Sequence, residues 1–222
     1  MTRMAEDHKM LDNCRSAIKH LLADHVKLPL LNMREEDFRA SLFGELRRAF
    51  PNYVPVEILD KRCNPVVATN QDKAVTSRVH AEVAVTEIGK AVFDLVILRD
   101  SPVKYTTKRG LTDVLKTVSA SDVVVAIEVK AAPANYPSIS EGIKKDITKL
   151  SKLCKRVPHV HCFLVIIDKT LALGLGVEEI SDSERQKWLR RFLQGETIRG
   201  QIEVWYLDSN PTSPVSLKEA VA

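Results

Sequence analysis

The sequence predicts an α/β protein, a central mixed β-sheet flanked by helices with an N-terminal helical extension. Residues 78–86, "RVHAEVAVT", alternate apolar and polar residues strictly, the period of a half-buried strand. The runs 123–129 and 161–168 are almost continuously apolar and short enough to be central strands. Between and before them lie stretches whose apolar residues recur every three or four positions, the period of amphipathic helices. Strands interleaved with helices bury their apolar faces by packing helices onto a sheet.

Each element follows in order. Met10, Cys14, Ile18, Leu21, Leu22 and Val26 place a helix over 4–26, which "KLPLLN" breaks. Asn32 followed by Glu35 has the spacing of a capping box and opens a second helix over 33–50, with Phe38, Leu42, Leu46 and Ala49 inward. Residues 51–77 read as loop with a short edge strand over 53–59. The alternating strand 78–86 runs through "TEIGK" into "AVFDLVIL", 91–98, a connection so tight that the pair must be an antiparallel hairpin. A polar insertion, 99–121, precedes "VVVAIEVKAA", 123–132. Ile143, Ile147, Leu150 and Cys154 form one stripe of a helix over 140–156, and "HCFLVIID", 161–168, is the next strand. Ser181 and Glu184 repeat the capping pattern and open a helix to Gly195, with Trp188, Leu189 and Phe192 as core residues. "IEVWYLD", 202–208, is the fifth strand. This divides the chain into a helical extension, 1–32, one α/β domain, 33–210, and a loose tail, 211–222.

Composition narrows the class. A chain of 222 residues, 45% apolar and 28% charged, suits one well-cored domain of a soluble protein. No apolar run nears the roughly 20 residues of a membrane span, and "MTRMAEDHKML" lacks the apolar centre of a secretory signal. Four cysteines without a CxxC pair do not describe a disulfide scaffold, so a cytoplasmic location is expected. A net charge of +4 permits a polyanionic partner without demanding one.

The chemistry lies in charges where a buried strand should have none. On 123–132, Glu128 and Lys130 point one way while Val125, Ile127 and Val129 point the other. Asp94 repeats the anomaly inside "VFDLVI". Burying an unpaired carboxylate is costly, and two from neighbouring strands repel unless a cation lies between them. A divalent metal solves that problem, and Lys130 solves it in part. Acid-x-Lys occurs twice in the chain: Asp7-His8-Lys9 in a polar helical stretch, and Glu128-Val129-Lys130 on the buried strand. Glu45, three residues after Leu42, falls on the inward stripe of its helix and is a candidate third acid.

Glu45 on a helix, a hairpin carrying Asp94, Glu128-Val129-Lys130 on the next strand, then a helix and a strand resemble the PD-(D/E)xK nuclease superfamily, over roughly residues 33–168. The helix "GIKKDITKLSKL", 142–153, is similar to the one that follows the motif in many bacterial members. Phe93 stands where the motif often has proline, and no glutamine follows on the next helix, which argues against the RecB-like branch. The resemblance implies a restriction-endonuclease-like core and a Mg²⁺- or Mn²⁺-dependent endonuclease, with DNA favoured over RNA and a setting in host defence or mobile elements. Asp94, Glu128 and the carbonyl of Val129 suit a hard cation that prefers oxygen ligands, and Glu45 suits a second ion or a metal-held water. Lys130, partly desolvated beside a cation, is expected to have a lowered pKa and to orient or deprotonate the attacking water. The alternative is a buried Asp/Glu–Lys ion pair with no metal.

Weaker signals complete the reading. Lys145, Lys149 and Lys152 share a helix face that either contacts phosphates or is simply solvated, with Lys145 the best placed. Lys104, Lys108 and Arg109 beside Tyr105 form a loop suited to a nucleic-acid backbone and a stacked base. His80 and Glu82 face the same way on the first strand, as a surface pair or at the border of the site. His159 and His161 with Cys154 and Cys162 lack zinc spacing, and "GLGVEE", 174–179, lacks the third glycine of a dinucleotide fingerprint. The expected partners are thus a nucleic acid and, through the N-terminal helices, a second copy or another protein. The competing function is a catalytically silent subunit that keeps the fold for binding or assembly.

Overall fold

The period-two and period-3.6 stretches of the chain build a sheet with helices on both faces. This is seen in a computed structural model, which describes residues 3–27, 34–59, 75–89, 91–100, 103–106, 117–132, 136–168, 202–207 and 215–216. The elements are α1 (Arg3–Lys27), α2 (Glu35–Ala49), β1 (Tyr53–Leu59), β2 (Val75–Ser77), β3 (Val79–Val85), β4 (Val92–Leu98), β5 (Val103–Thr106), β6 (Thr117–Val118), β7 (Val123–Ala132), α3 (Tyr136–Arg156), β8 (His161–Asp168), β9 (Ile202–Leu207) and β10 (Val215–Ser216).

The main sheet runs β10-β9-β8-β7-β4-β3-β6, five long strands bounded by two-residue strands at each edge. β7, β8 and β9 are parallel, and β4 is antiparallel to both β7 and β3, so the expected hairpin forms and the sheet is mixed. α3 is the crossover that two parallel neighbours require. The polar insertion holds more structure than its composition suggests: β5 pairs with β1 in a second sheet, β2-β1-β5, and β6 pairs with β3. The tail likewise contributes β10, which pairs antiparallel with β9 through Val215 and Tyr206. The expected helix after Ser181 lies outside the described residues.

Two cores result because β7 is buried on both faces. Val125, Ile127 and Val129 pack with α1 and α2, against Ile18, Leu22, Phe38, Leu42 and Leu46. Ala126, Leu164 and Ile166 pack with α3 through Ile143, Ile147 and Leu150. Each fully buried Leu, Ile or Phe contributes about 1.5–3 kcal/mol from burial. The stripe of α1 is thereby covered within the chain. α2 starts at Glu35, two residues later than predicted, and its first turn is closed by Asp37, whose carboxylate accepts the Arg34 N–H at 3.0 Å. Acids Glu35–Asp37 at its start and Arg47 and Arg48 at its end complement the helix dipole. Among the described residues no helix is long and apolar enough to cross a membrane.

Candidate active site

β4 and β7 part company in mid-sheet. Their ladder runs from Leu98↔Val123 to Leu95↔Ile127 and stops. Beyond it β4 stays with β3 and β7 stays with β8 as far as Ala132↔Asp168. One step past the last pair, in the same register, stand Asp94 and Glu128. The next main-chain donor of β7, the Val129 N–H, is taken instead by the Asp94 carboxylate at 2.8 Å. A side chain closes the ladder at the fork where a peptide carbonyl otherwise would.

The fork is also where the alternation of β3 and β4 slips. Ala81 and Leu95 belong to the core under α1 and α2, yet Val83 and Phe93 belong to the core under α3. Residues two apart in a regular strand share a face. The change of face occurs at Glu82 and Asp94, and Glu82 has φ 54°, a left-handed conformation that costs a non-glycine residue about 1–3 kcal/mol. Irregularities of this kind re-aim side chains, and here they aim two acids at the fork.

Cations crowd these acids. The Arg39 guanidinium, from α2, reaches Asp94 and Glu82, each at 3.2 Å. Glu128, 1% exposed, accepts from Lys149 of α3 at 2.7 Å through Oε2, while its Oε1 is buried with no hydrogen-bond partner. Burial first, and the charge of Asp94 second, push the Glu128 carboxyl up to about 9 against the pull of Lys149. Lys130 is held between Glu35 at 3.3 Å and Asp146 at 3.4 Å. Burial lowers the pKa of Lys130, but Asp146 and Glu35 outweigh it, so without a bound cation the ammonium is held above its ordinary value. Burial likewise raises Asp146, which is 8% exposed, against the pull of Lys130 and Lys149. Glu35 Oε2 also accepts the Ala131 N–H at 3.2 Å, pinning the start of α2 to the end of β7.

Asp94 and Glu128 thus stand at the fork, Val129 is tied to it by its N–H, and Lys130 lies two residues beyond Glu128, held by Glu35 and Asp146. Glu45 does not join them: its carboxylate pairs with Arg48 and faces His20 of α1 at 3.9 Å. The acid that α2 brings to the site is Glu35, from its first turn. Glu82 borders the site through Arg39, whereas His80 turns to the Ser77 carbonyl at 2.6 Å. Lys149, expected to face phosphate or solvent, is engaged with Glu128. Lys145 is exposed and pairs with Glu141 at 3.0 Å. Lys104 lies on β5 but its side chain, like all of Lys108 and Arg109, is outside the described residues. Sequence reading missed Glu35, Arg39 and Asp146. Asp146 carried a signal, an acid beside Ile143 and Ile147 on the buried stripe of α3. Arg39 carried a fainter one, the i+4 position from Glu35.

Five carboxylates thus meet three cations: Glu35, Glu82, Asp94, Glu128 and Asp146 against Arg39, Lys130 and Lys149. That acid excess, with a buried carboxylate oxygen lacking any donor, suits one more cation. Among the described residues no group of three or more His, Cys, Asp or Glu is arranged to hold a metal, so Asp94 and Glu128 would need backbone oxygen and water to complete a shell. No protein-family model and no curated protein matches this chain.

Proposed function

We propose that the fork is the active site of a Mg²⁺- or Mn²⁺-dependent nuclease that hydrolyses phosphodiester bonds, with a restriction-endonuclease-like core. The supporting observation is the unpartnered Glu128 oxygen, buried across a split ladder from Asp94. Nothing in a merely structural ion pair requires an orphaned acceptor, which costs about 1–3 kcal/mol.

Asp94 and Glu128 would hold the ion, with the Val129 carbonyl as a further oxygen donor. When bound, the ion supplies neutralisation of charge on the scissile phosphate and acidification of the attacking water. Burial of Glu128 excludes bulk water and strengthens each charge interaction within the fork. Lys130, held between Asp146 and Glu35, is placed to orient the attacking water or take its proton. Arg39 neutralises Asp94 in the metal-free state, and Glu82 is a second acid that would retain it if Asp94 bound an ion. The nucleic acid, DNA by preference, approaches along the lysine-bearing face of α3.

The test is incubation of the purified protein with plasmid, linear duplex, single-stranded DNA and RNA in Mg²⁺, Mn²⁺ or EDTA. Cleavage that needs a divalent ion and is lost in Asp94→Ala supports the reading. The second reading, a silent subunit whose charges are purely structural, draws on the cations at the fork, since Arg39, Lys130 and Lys149 touch four of its five acids at 3.3 Å or less. It predicts no cleavage of any substrate and no divalent-ion binding at millimolar concentration.

A further inference from the structure

We propose that Lys149 is a resident counter-cation of the Glu128 pocket, which a divalent metal must displace into the groove alongside α3. This rests on the reading of the fork as a metal site and concerns what holds that site closed before metal arrives. The Lys149 ammonium sits among three oxygens: Glu128 Oε2 at 2.7 Å, the Val92 carbonyl at 2.8 Å and Asp146 Oδ1 at 3.6 Å. Two carboxylates and a backbone carbonyl are the donors that a hard divalent cation selects. The ammonium is a point charge on a flexible stem, so it fills such a cage without fixing its geometry. It brings a single positive charge to Glu128 and Asp146 and leaves Glu128 Oε1 without a donor.

Lys149 also has somewhere to go. It lines a groove of about 370 Å³ together with Ile88, Ala91, Lys144, Lys145 and Lys152 and a single acid, Glu141, which pairs with Lys145 at the groove's rim. Rotation of the stem carries the ammonium from the carboxylates to that rim, where it adds to a surface suited to phosphate. Lys130 has no such freedom, since Glu35 and Asp146 hold it from α2 and α3 together. Metal entry and exposure of Lys149 are therefore linked, and each must favour the other by the same factor. Metal loading would both complete the reactive centre and prepare the groove for an anion.

Two measurements test this. In calorimetric titration with Mg²⁺ or Mn²⁺ alone, Lys149→Met should bind about tenfold or more tighter than the wild type, because its competitor is gone. In the wild type, acetylation by an amine-reactive ester, read by mass spectrometry, should spare Lys149 in EDTA and modify it once Mn²⁺ saturates, while exposed Lys145 reacts equally in both. If Lys149→Met fails to fold, the wild-type acetylation pattern decides alone. Metal binding of equal strength in both proteins, with Lys149 equally protected throughout, overturns the counter-cation and leaves the metal site standing. Absence of divalent binding in both proteins overturns the metal site itself.

Discussion

Two buried glutamates on the same sheet meet opposite fates. Glu203 of β9 is 7% exposed, and the Arg15 guanidinium clasps both its oxygens, through Nε at 3.3 Å and Nη2 at 3.0 Å. The Trp205 indole donates to it at 2.8 Å, and Lys19 lies over that ring at 5.8 Å. Both oxygens have donors, and the result fastens α1 to the sheet. Glu128 of β7 is more deeply buried, yet it has one donor for two oxygens and a second carboxylate opposite. Satisfaction marks Glu203 as a structural joint. Incomplete satisfaction, sustained in the middle of the sheet, sets Glu128 apart as the group on which the proposed metal site rests.

The largest separation between them should be in activity. Glu128→Gln and Asp94→Ala are expected to reduce divalent-dependent cleavage by about 10³-fold or more, and Lys130→Ala by about 10²-fold, while Glu203→Gln leaves it within a factor of a few; plasmid nicking rates measure all four. Equal loss in Glu203→Gln would erase the distinction. Stability should reverse the order. Glu203→Ala should cost about 3 kcal/mol in urea unfolding, because it strands a partly exposed arginine and a buried indole N–H. Glu128→Gln should be neutral or stabilising by about 1–3 kcal/mol at pH 8, since the wild-type carboxyl, ionised in the unfolded chain at that pH, must take up a proton to be buried.

The pH profile sharpens the same contrast. The Glu128 carboxyl is raised from 4.5 to about 9 in the fold, so between those values the native state holds a proton that the unfolded chain has lost. Metal-free stability should therefore fall as pH rises across that window, with no cost from this group below about 4.5 and its full cost above about 9. Glu128→Gln should flatten the decline, and a wild-type-like slope in that variant would show that another group is responsible. The smallest effect concerns Glu45: its exposed partners predict a change within about 0.5 kcal/mol on Glu45→Gln, and cleavage at the wild-type rate.

Much of the fold was legible because hydrophobic period is a local property. The strands at 79–85, 92–98, 123–132, 161–168 and 202–207 and the three helices were visible from side chains alone. β2, β5, β6 and β10 were not: four residues or fewer have no period, and they become strands only because a neighbour is there to receive them. The site was half legible for a similar reason. Asp94, Glu128 and Lys130 stood out as charges in apolar strands. Glu35 was overlooked in favour of Glu45 because an amphipathic stripe reports which face of a helix points inward and says nothing of height along its axis. Those two residues are ten positions apart, about 15 Å of helix rise.

The residues by themselves determined that two acids and a lysine would be forced into the middle of a sheet, since alternation leaves them no solvent face. Only the tertiary structure decided which cation each would meet. Sequence spacing gives no distance between α3 and β7, so Lys149 read as one of a stripe of surface lysines until packing of Ile143, Ile147 and Leu150 set α3 against the sheet. That packing carries the ammonium to Glu128. The split between β4 and β7 then leaves the other oxygen bare, because a fork is a relation between two strands and is encoded in neither.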